Sequence, residues 1–255
     1  MEGHAPTLPC RICGSTAPLF DVCDFANHCF RPATGPSELS GVAVYYYRCR
    51  ECGLLFTPLT DGWTTEDFRA RIYTDDYAAF DPEIDDERPS ANAALVEKLF
   101  GDHRSSLSLL DFGGGDGALA RMLKQKGFAN ARSCDPIRHP DESPPQGRFD
   151  LVTCFEVLEH ANDPLAMVRD LADLTGPDGM VLFSTLLQPP DIDVQRLRWW
   201  YAAPRNGHVS LYTAAALAAA WKAAGMNCAS FGNSLHVAFR QPPSFAARLF
   251  RGEPV

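Results

Sequence analysis

Two rhythms of apolar and polar positions divide the chain. From about residue 107 to residue 240, short apolar runs alternate with stretches of helical spacing. The runs predict strands over 107–112, 131–134, 149–154, 180–185, 226–231 and 235–240, and the helical spacing predicts helices over 117–126, 163–174 and 213–224. Near-continuous apolar runs mark strands buried on both faces, so the alternation predicts an α/β fold with a parallel sheet flanked by helices. Gly232-Asn233-Ser234 joins the last two runs as a hairpin, which adds an antiparallel strand. Ser90–Phe100 has amphipathic spacing and predicts a helix with Ala94, Leu95, Leu99 and Phe100 turned inward. Before residue 61 the pattern is short and β-prone, as in Val42–Arg48.

The first strand runs into Asp111-Phe112-Gly113-Gly114-Gly115-Asp116-Gly117. Glycines at 113, 115 and 117 let the backbone turn sharply and approach a ligand closely. Strand, glycine turn and helix form the nucleotide-binding start of an α/β domain. Gly113-x-Gly115-x-x-Ala118 satisfies the dinucleotide fingerprint in form. Asp111 argues otherwise, because an acid there opposes a pyrophosphate and suits the cationic sulfonium and amino group of S-adenosylmethionine. Asp135 ends the next strand, where an acid hydrogen-bonds a ribose diol.

Asp111–Gly117, Asp135-Pro136 and the block Phe149-Asp150-Leu151-Val152-Thr153-Cys154-Phe155-Glu156-Val157-Leu158-Glu159-His160 together resemble class I S-adenosylmethionine-dependent methyltransferases over about residues 90–240. The resemblance implies a Rossmann-like sheet, S-adenosylmethionine as cofactor, and a cofactor site made of Asp111, Phe112, Gly113, Gly115, Gly117, Asp135, Pro136, Phe155 and Glu156. The family usually places a helix and another strand after the acid at 135. Only residues 136–148, rich in Pro, separate Asp135 from Phe149 here. The third strand is therefore expected to be lost or shortened, with Pro136, Ile137 and Phe155 left to meet the adenine.

Two Cys-x-x-Cys-Gly knuckles, Cys10–Gly14 and Cys49–Gly53, supply four thiolates. Cys10, Cys13, Cys49 and Cys52 suit a structural tetrahedral zinc ion. Cys23, His28 and Cys29 lie in the insert between the knuckles and read as core or surface residues; Cys134, Cys154 and Cys228 read as small buried hydrophobes. A zinc-ribbon-like module ahead of such a domain is similar to a group of bacterial methyltransferases that includes sugar C-methyltransferases. Those enzymes carry a further large C-terminal domain, and here the sequence ends soon after the last predicted strand, which weighs against sugar C-methylation. The expected organisation is a ribbon over 1–60, an acidic connector or lid over 61–90 bearing Tyr73 and Tyr77, the methyltransferase domain over 91–242, and a tail over 243–255.

Candidate chemistry clusters after the strand at 149–154. Phe155 and Glu156 sit at the carboxyl end of a strand, where α/β sheets hold ligands. His160 reads either as a base or as a histidine that bonds its own loop. His208, just before the helix at 213–224, is the best single candidate for general base, since imidazole titrates near working pH. Trp199-Trp200-Tyr201 with Arg205 suits a planar, anionic or sugar-like acceptor, or else caps the core.

Composition narrows the partners. Of 255 residues, 45% are hydrophobic, which is ordinary for a globular protein with a sizeable core. A net charge of −9 makes nucleic acid an unlikely partner and favours a small-molecule acceptor. An RNA methyltransferase gripping its acceptor with the ribbon, and a non-catalytic scaffold keeping the fold, are the rival readings. There is no membrane span in the sequence, and the N-terminus lacks a charged start and an apolar stretch. A cytoplasmic chain is expected, with nine cysteines held as thiols or metal ligands.

Overall fold

The computed structural model describes residues 6–30, 38–82, 87–140 and 145–251. The cysteine-rich segment forms β1 (Thr7–Pro9), β2 (Thr16–Asp24), β3 (Ala43–Arg48) and β4 (Leu55–Phe56), all antiparallel to their neighbours. Then come α1 (Thr65–Arg71) and α2 (Glu87–Phe100). The α/β part follows as β5 (Leu109–Phe112), α3 (Ala118–Gln125), β6 (Ala131–Cys134), β7 (Phe149–Phe155), α4 (Pro164–Leu174) and β8 (Thr175–Ser184). After it lie the short α5 (Ile192–Gln195), β9 (Ser210–Leu211), α6 (Ala214–Ala223), β10 (Asn227–Phe231), β11 (Leu235–Phe239) and α7 (Ala247–Phe250).

The larger sheet has the order β10-β11-β8-β7-β5-β6. Strands β6, β5, β7 and β8 are parallel, and β11 runs antiparallel between β8 and β10. Alternate residues serve opposite faces. Leu110, Val152, Val181 and Phe183 join one core with α4 and α6, while Leu109, Leu151, Met180 and Leu182 join the other with α2 and α3. Burial of both faces explains why these strands are apolar throughout. Among the described residues β6 is the sheet's edge, and no strand follows it between Asp135 and Phe149. No helix among the described residues is long and apolar enough to cross a membrane.

Several boundaries differ from the sequence reading, each for a local reason. β5 starts at Leu109 rather than 107, because the backbone and hydroxyl of Ser108 donate to Asp150 Oδ2 at 2.8 and 2.7 Å. β8 starts at Thr175 rather than 180. The Thr-Gly-Pro-Asp-Gly turn signal conceals a register shift opposite Phe149, where a Cβ on Gly179 would lie 2.7 Å from the Phe149 carbonyl. On α2 the buried stripe is Ala93, Val96 and Phe100; Leu95 and Leu99 are half-buried and Ala94 is exposed. The helix begins earlier than expected and turns this stripe toward α3 and the C-terminal Phe245, whose ring lies 5.8 Å from that of Phe100. Cys154 is buried, but Cys134 and Cys228 are only partly so.

Residues 61–90 carry apolar anchors of their own. Thr64 and Asp67 form a capping box on α1, and Phe68, Ile72 and Tyr77 make a buried cluster with Trp63 and Tyr73 against it. The C-terminal segment also packs down, with Phe250 against Phe239 at 4.7 Å.

The two sheets are joined through the core and through one strand. Cys10, Tyr47, Cys49, Cys52, Leu54 and Phe56 belong to the same hydrophobic cluster as α4, α6 and β7. β9 pairs with β4 and so extends the cysteine-rich sheet with residues from beyond β8. Thr213 fastens the joint: its hydroxyl donates to the Cys52 carbonyl at 2.6 Å and accepts from Ala216 N at 3.0 Å, capping α6. Gly53, at φ +75°, packs beneath it. Replacing Gly53 with Ala would put a Cβ 2.8 Å from Thr213 Cγ2 in a left-handed backbone conformation. The Gly53→Ala variant is expected to lose about 1–3 kcal/mol of stability, read as a lower urea midpoint. An unchanged midpoint would mean that this joint is loose.

Candidate active site

The glycine turn after β5 is shaped by what lies under it. Gly113, Gly115 and Gly117 have φ of 73°, 55° and 75°. A Cβ on Gly113 would stand 2.5 Å from Val157 Cγ2, and one on Gly114 would stand 2.3 Å from both Asp111 Oδ2 and Ser133 Oγ. The turn therefore lies flat on the ends of β5 and β6. Asp135, after β6, holds it there by accepting from Gly115 N at 2.9 Å. Its other oxygen accepts from Ile137 N and Arg138 N, both at 2.9 Å.

Asp111 is buried, and only one of its oxygens is satisfied. Oδ1 accepts from the Thr153 hydroxyl at 2.9 Å, and Oδ2 has no partner. Burial pushes the carboxyl up to about 7, with the charge of Asp135 adding to the effect and the Thr153 hydrogen bond opposing it.

A cavity of about 710 Å³ opens from this turn. Asp111, Phe112, Gly113, Gly115, Asp135, Pro136, Phe155 and Glu156 line it, as do Ile137 and Tyr73. Gly117 stands behind the turn, beside Ser133. At its far end lie Cys29, Tyr77, Phe80, Asp81, Arg88, Trp200, Tyr201, Asn206, His160 and His208. One continuous space therefore connects the glycine turn to both histidines.

Glu156 separates the two ends. It has φ 53°, a left-handed conformation rarely taken by a non-glycine residue. Ser184 and Tyr201 hold it there: their hydroxyls donate to Oε1 at 2.6 Å and to Oε2 at 2.9 Å. His160 Nδ1 donates to the Gly207 carbonyl at 3.1 Å and His208 Nδ1 to the Tyr201 carbonyl at 2.8 Å. These bonds assign the hydrogen to Nδ1, leaving a lone pair on each Nε2. Burial lowers the pKa of both rings, most strongly in His208, which also faces the His160 ring at 5.1 Å.

The aromatic segment 199–205 is divided in its duties. Trp199 is buried in a core under the cysteine-rich sheet, whereas Trp200 and Tyr201 line the cavity. Arg205 does not face an acceptor. It donates to the Ile72 carbonyl at 2.9 Å and the Thr74 hydroxyl at 3.0 Å, and stacks over Phe80 at 4.0 Å. Arg88 lines the cavity but makes a two-pronged pair with Asp81 at 2.7 and 2.9 Å. Neither Arg205 nor Arg88 is therefore left free for an anionic acceptor.

The four cysteines of the knuckles converge. Sγ separations are 3.6 Å for Cys10–Cys52, 3.5 Å for Cys13–Cys49 and 3.8 Å for Cys13–Cys52. A tetrahedral zinc with bonds of about 2.3 Å sets its sulfurs roughly 3.8 Å apart, so the donor set fits that ion. Backbone N–H groups of Ile12 and Cys52 point at Cys10 Sγ and Cys49 Sγ at 3.4 Å, as thiolates require.

Some of the site had no signal in the sequence. Cys29 arrives from the ribbon insert, 3.9 Å from His208 Nδ1. Asn206 ties three segments together, accepting from Cys29 N at 2.8 Å and donating to the Phe80 carbonyl at 3.1 Å. The Asp81–Arg88 pair closes across a charged stretch that reads as solvated. Only Asn206 had a usable cue, its place two residues before His208.

Residues 84–230 match a family described as a methyltransferase domain. The ubiquinone biosynthesis O-methyltransferase of Neisseria meningitidis serogroup C (strain 053442) is 36% identical over 108 residues, which covers 32% of this chain and 45% of that protein. The enzyme of the same name from Sodalis glossinidius is 40% identical over 82 residues, 32% of each chain. The chain thus spans less than half the length of these curated relatives. An O-methyltransferase family protein from Burkholderia thailandensis shares the fold, with a TM-score of 0.51 at 14% identity over 71% of this chain and 64% of that one. The family match covers more than half the sequence and spans β5 through β10 with the glycine turn, so the chain belongs to the methyltransferase-domain family and carries the Rossmann-like fold of its class I S-adenosylmethionine-dependent members.

Proposed function

We propose that this protein methylates a hydroxyl group of a small, flat, uncharged acceptor, with S-adenosylmethionine as donor. The observation that carries this reading is the cavity lined both by Asp111 with the glycine turn and by the two histidines. When bound, S-adenosylmethionine supplies an electrophilic methyl on a positively charged sulfur. Asp111 and the turn at Gly113, Gly115 and Gly117 would hold the charged methionyl part. Asp135, with one acceptor position left, would take one hydroxyl of the ribose diol, while Pro136, Ile137 and Phe155 would border the adenine. Phe112 completes the floor.

At the other end, Tyr73, Tyr77, Phe80, Trp200 and Tyr201 offer faces for a ring to stack on. Glu156, fixed by Ser184 and Tyr201, orients the acceptor hydroxyl. Nε2 of His208 would take the hydroxyl proton as the acceptor oxygen receives the methyl that bound S-adenosylmethionine would supply. Positioning and exclusion of water do most of the work in such an in-line displacement. His160 sets the wall beside His208. Cys10, Cys13, Cys49 and Cys52 would hold a structural zinc ion, which would keep the ribbon, and so β9, in place. The relatives' names favour a hydroxyl acceptor, and the engagement of Arg88 and Arg205 within the protein favours a neutral one.

Asp111 makes the cofactor site sensitive to pH. Its folded-state pKa of about 7 lies above the ordinary carboxylate value, so the ion-free pocket holds it protonated in mild acid. A cationic ligand needs the carboxylate. Affinity for S-adenosylmethionine, measured by calorimetry, is expected to rise as pH climbs through about 7 and to fall up to tenfold per pH unit below it. Asp111→Asn is expected to raise the melting temperature of the ligand-free protein, because it removes the cost of a buried charge, and to weaken cofactor binding at least tenfold. Tight, pH-independent binding in that variant would remove Asp111 from the site.

The acceptor reading is tested by release of S-adenosylhomocysteine across a panel of hydroxylated aromatic acceptors. Turnover of neutral phenols is expected, with His208→Gln lowering kcat by about 10²–10⁴ while cofactor affinity stays within twofold. Full cofactor binding with no turnover on any hydroxylated acceptor would overturn it.

A further inference from the structure

Glu159 is the most exceptional side chain in the molecule. It is completely buried, yet neither carboxylate oxygen has a hydrogen-bond partner. The nearby Tyr201 hydroxyl is committed to Glu156. A buried carboxylate with no hydrogen bond and no counter-charge is costly, so something must satisfy it. Burial pushes its carboxyl well above the ordinary range, and Glu156 adds to that effect.

Besides the hydroxyls of Tyr201 and Thr185, the groups facing it are ring nitrogens of two histidines. His160 Nε2 lies 4.0 Å from Glu159 Oε1. A carboxylate oxygen of Glu159 and one ring nitrogen from each of His160 and His208 all lie within 4.8 Å of one another. Each ring gives its Nδ1 hydrogen to a backbone carbonyl, of Gly207 and Tyr201 respectively. Pinning one ring N–H to the backbone is how a histidine is oriented to offer its other nitrogen to a metal. The backbone fixes the pair of segments too, through Val209 N to the Glu159 carbonyl at 2.8 Å.

We propose that Glu159, His160 and His208 form a second metal site, separate from the four cysteines, which takes a divalent transition ion such as Zn²⁺, Co²⁺ or Ni²⁺. Two imidazoles and one carboxylate suit such ions and not Ca²⁺ or Mg²⁺, which prefer all-oxygen shells. Bonds of about 2.0–2.2 Å place ligand atoms roughly 3.0–3.5 Å apart, so closure on an ion needs an ångström or so of side-chain movement. Two histidines and one glutamate leave a coordination position open, and His160 and His208 line the cavity. The ion uses the same His208 lone pair as the proposed proton transfer, so ion and proton are alternative occupants of that nitrogen. The inference goes beyond the methyl-transfer reading and does not require it.

The test adds Co²⁺ to zinc-loaded full-length protein and follows its visible spectrum and stoichiometry. One Co²⁺ per chain is expected, with weak d–d bands and no intense sulfur-to-cobalt absorption, which would mark a cysteine site. Glu159→Gln and His208→Gln are each expected to weaken Co²⁺ binding at least tenfold. Thermal melting checks that both variants fold, and calorimetry with S-adenosylmethionine reports on the cofactor site separately. No Co²⁺ uptake, uptake with sulfur-to-cobalt absorption, or uptake unchanged in both folded variants would each overturn the proposal.

Discussion

The histidine-lined part of the cavity depends on the clamping of one short segment, residues 206–213. On one side β9 pairs with β4, Thr57 N bonds the Val209 carbonyl at 3.0 Å, and the Tyr46 hydroxyl donates to the His208 carbonyl at 2.6 Å. On the other side the Ser210 hydroxyl donates to the Ala161 carbonyl at 2.8 Å and the Tyr212 hydroxyl to the Leu158 carbonyl at 2.9 Å. Each bond is worth about 1 kcal/mol net, but leaving any of these buried groups unpaired costs more. The segment thus has one placement, and that placement sets the two histidine rings face to edge. The cysteine-rich module is one jaw of the clamp, so an ion held by its four cysteines would help to shape the pocket.

The same clamp explains the tolerance of strain nearby. Glu156 sits in a left-handed conformation at the end of β7, where a glycine would be easier. Its backbone N–H is held by Ser184 at 3.0 Å, and its carboxylate is held by hydroxyls from β8 and from the clamped aromatic segment. Surroundings that fix a residue from several sides can maintain a conformation costing of order 1–3 kcal/mol. The buried, half-satisfied Asp111 is a parallel case at the cofactor end. Both carboxylates give up stability where a polar ligand would be received.

Much of this was legible in the sequence where local chemistry decides the outcome. The glycine turn, the order of strands and helices, the hairpin at Gly232-Asn233-Ser234 and the convergence of four cysteines each follow from short-range patterns. The short stretch after Asp135 also announced its missing strand. What could not be read depends on partners far away in the chain. Residues 61–90 read as an acidic connector or lid bearing Tyr73 and Tyr77; both tyrosines line the cavity, but the anchoring of this stretch by Phe68 and Ile72 depends on distant partners. Arg205 looked like an acceptor ligand beside three aromatic residues, but backbone carbonyls and Phe80 engage it instead. Glu159 passed as one letter of a family block. Only the fold reveals that its carboxylate is fully buried beside two histidines.

Among the described residues no strand follows β6, and this has a consequence for how the acids around the glycine turn divide their work. With β6 as the sheet's edge, no neighbouring strand braces the turn that follows it. Asp135 does the bracing, accepting from Gly115, Ile137 and Arg138, while its own carbonyl takes His139 N at 2.9 Å. An ionised carboxylate has about four acceptor positions, so three of them are already in use. That leaves Asp135 little capacity for a ribose diol beyond what the backbone takes. Asp111, with one oxygen wholly free, is correspondingly the acid with the most to gain from a cationic ligand. Loss of a strand at one edge therefore shifts the discriminating charge toward the centre of the sheet, beneath the glycine turn, where solvent screens it least.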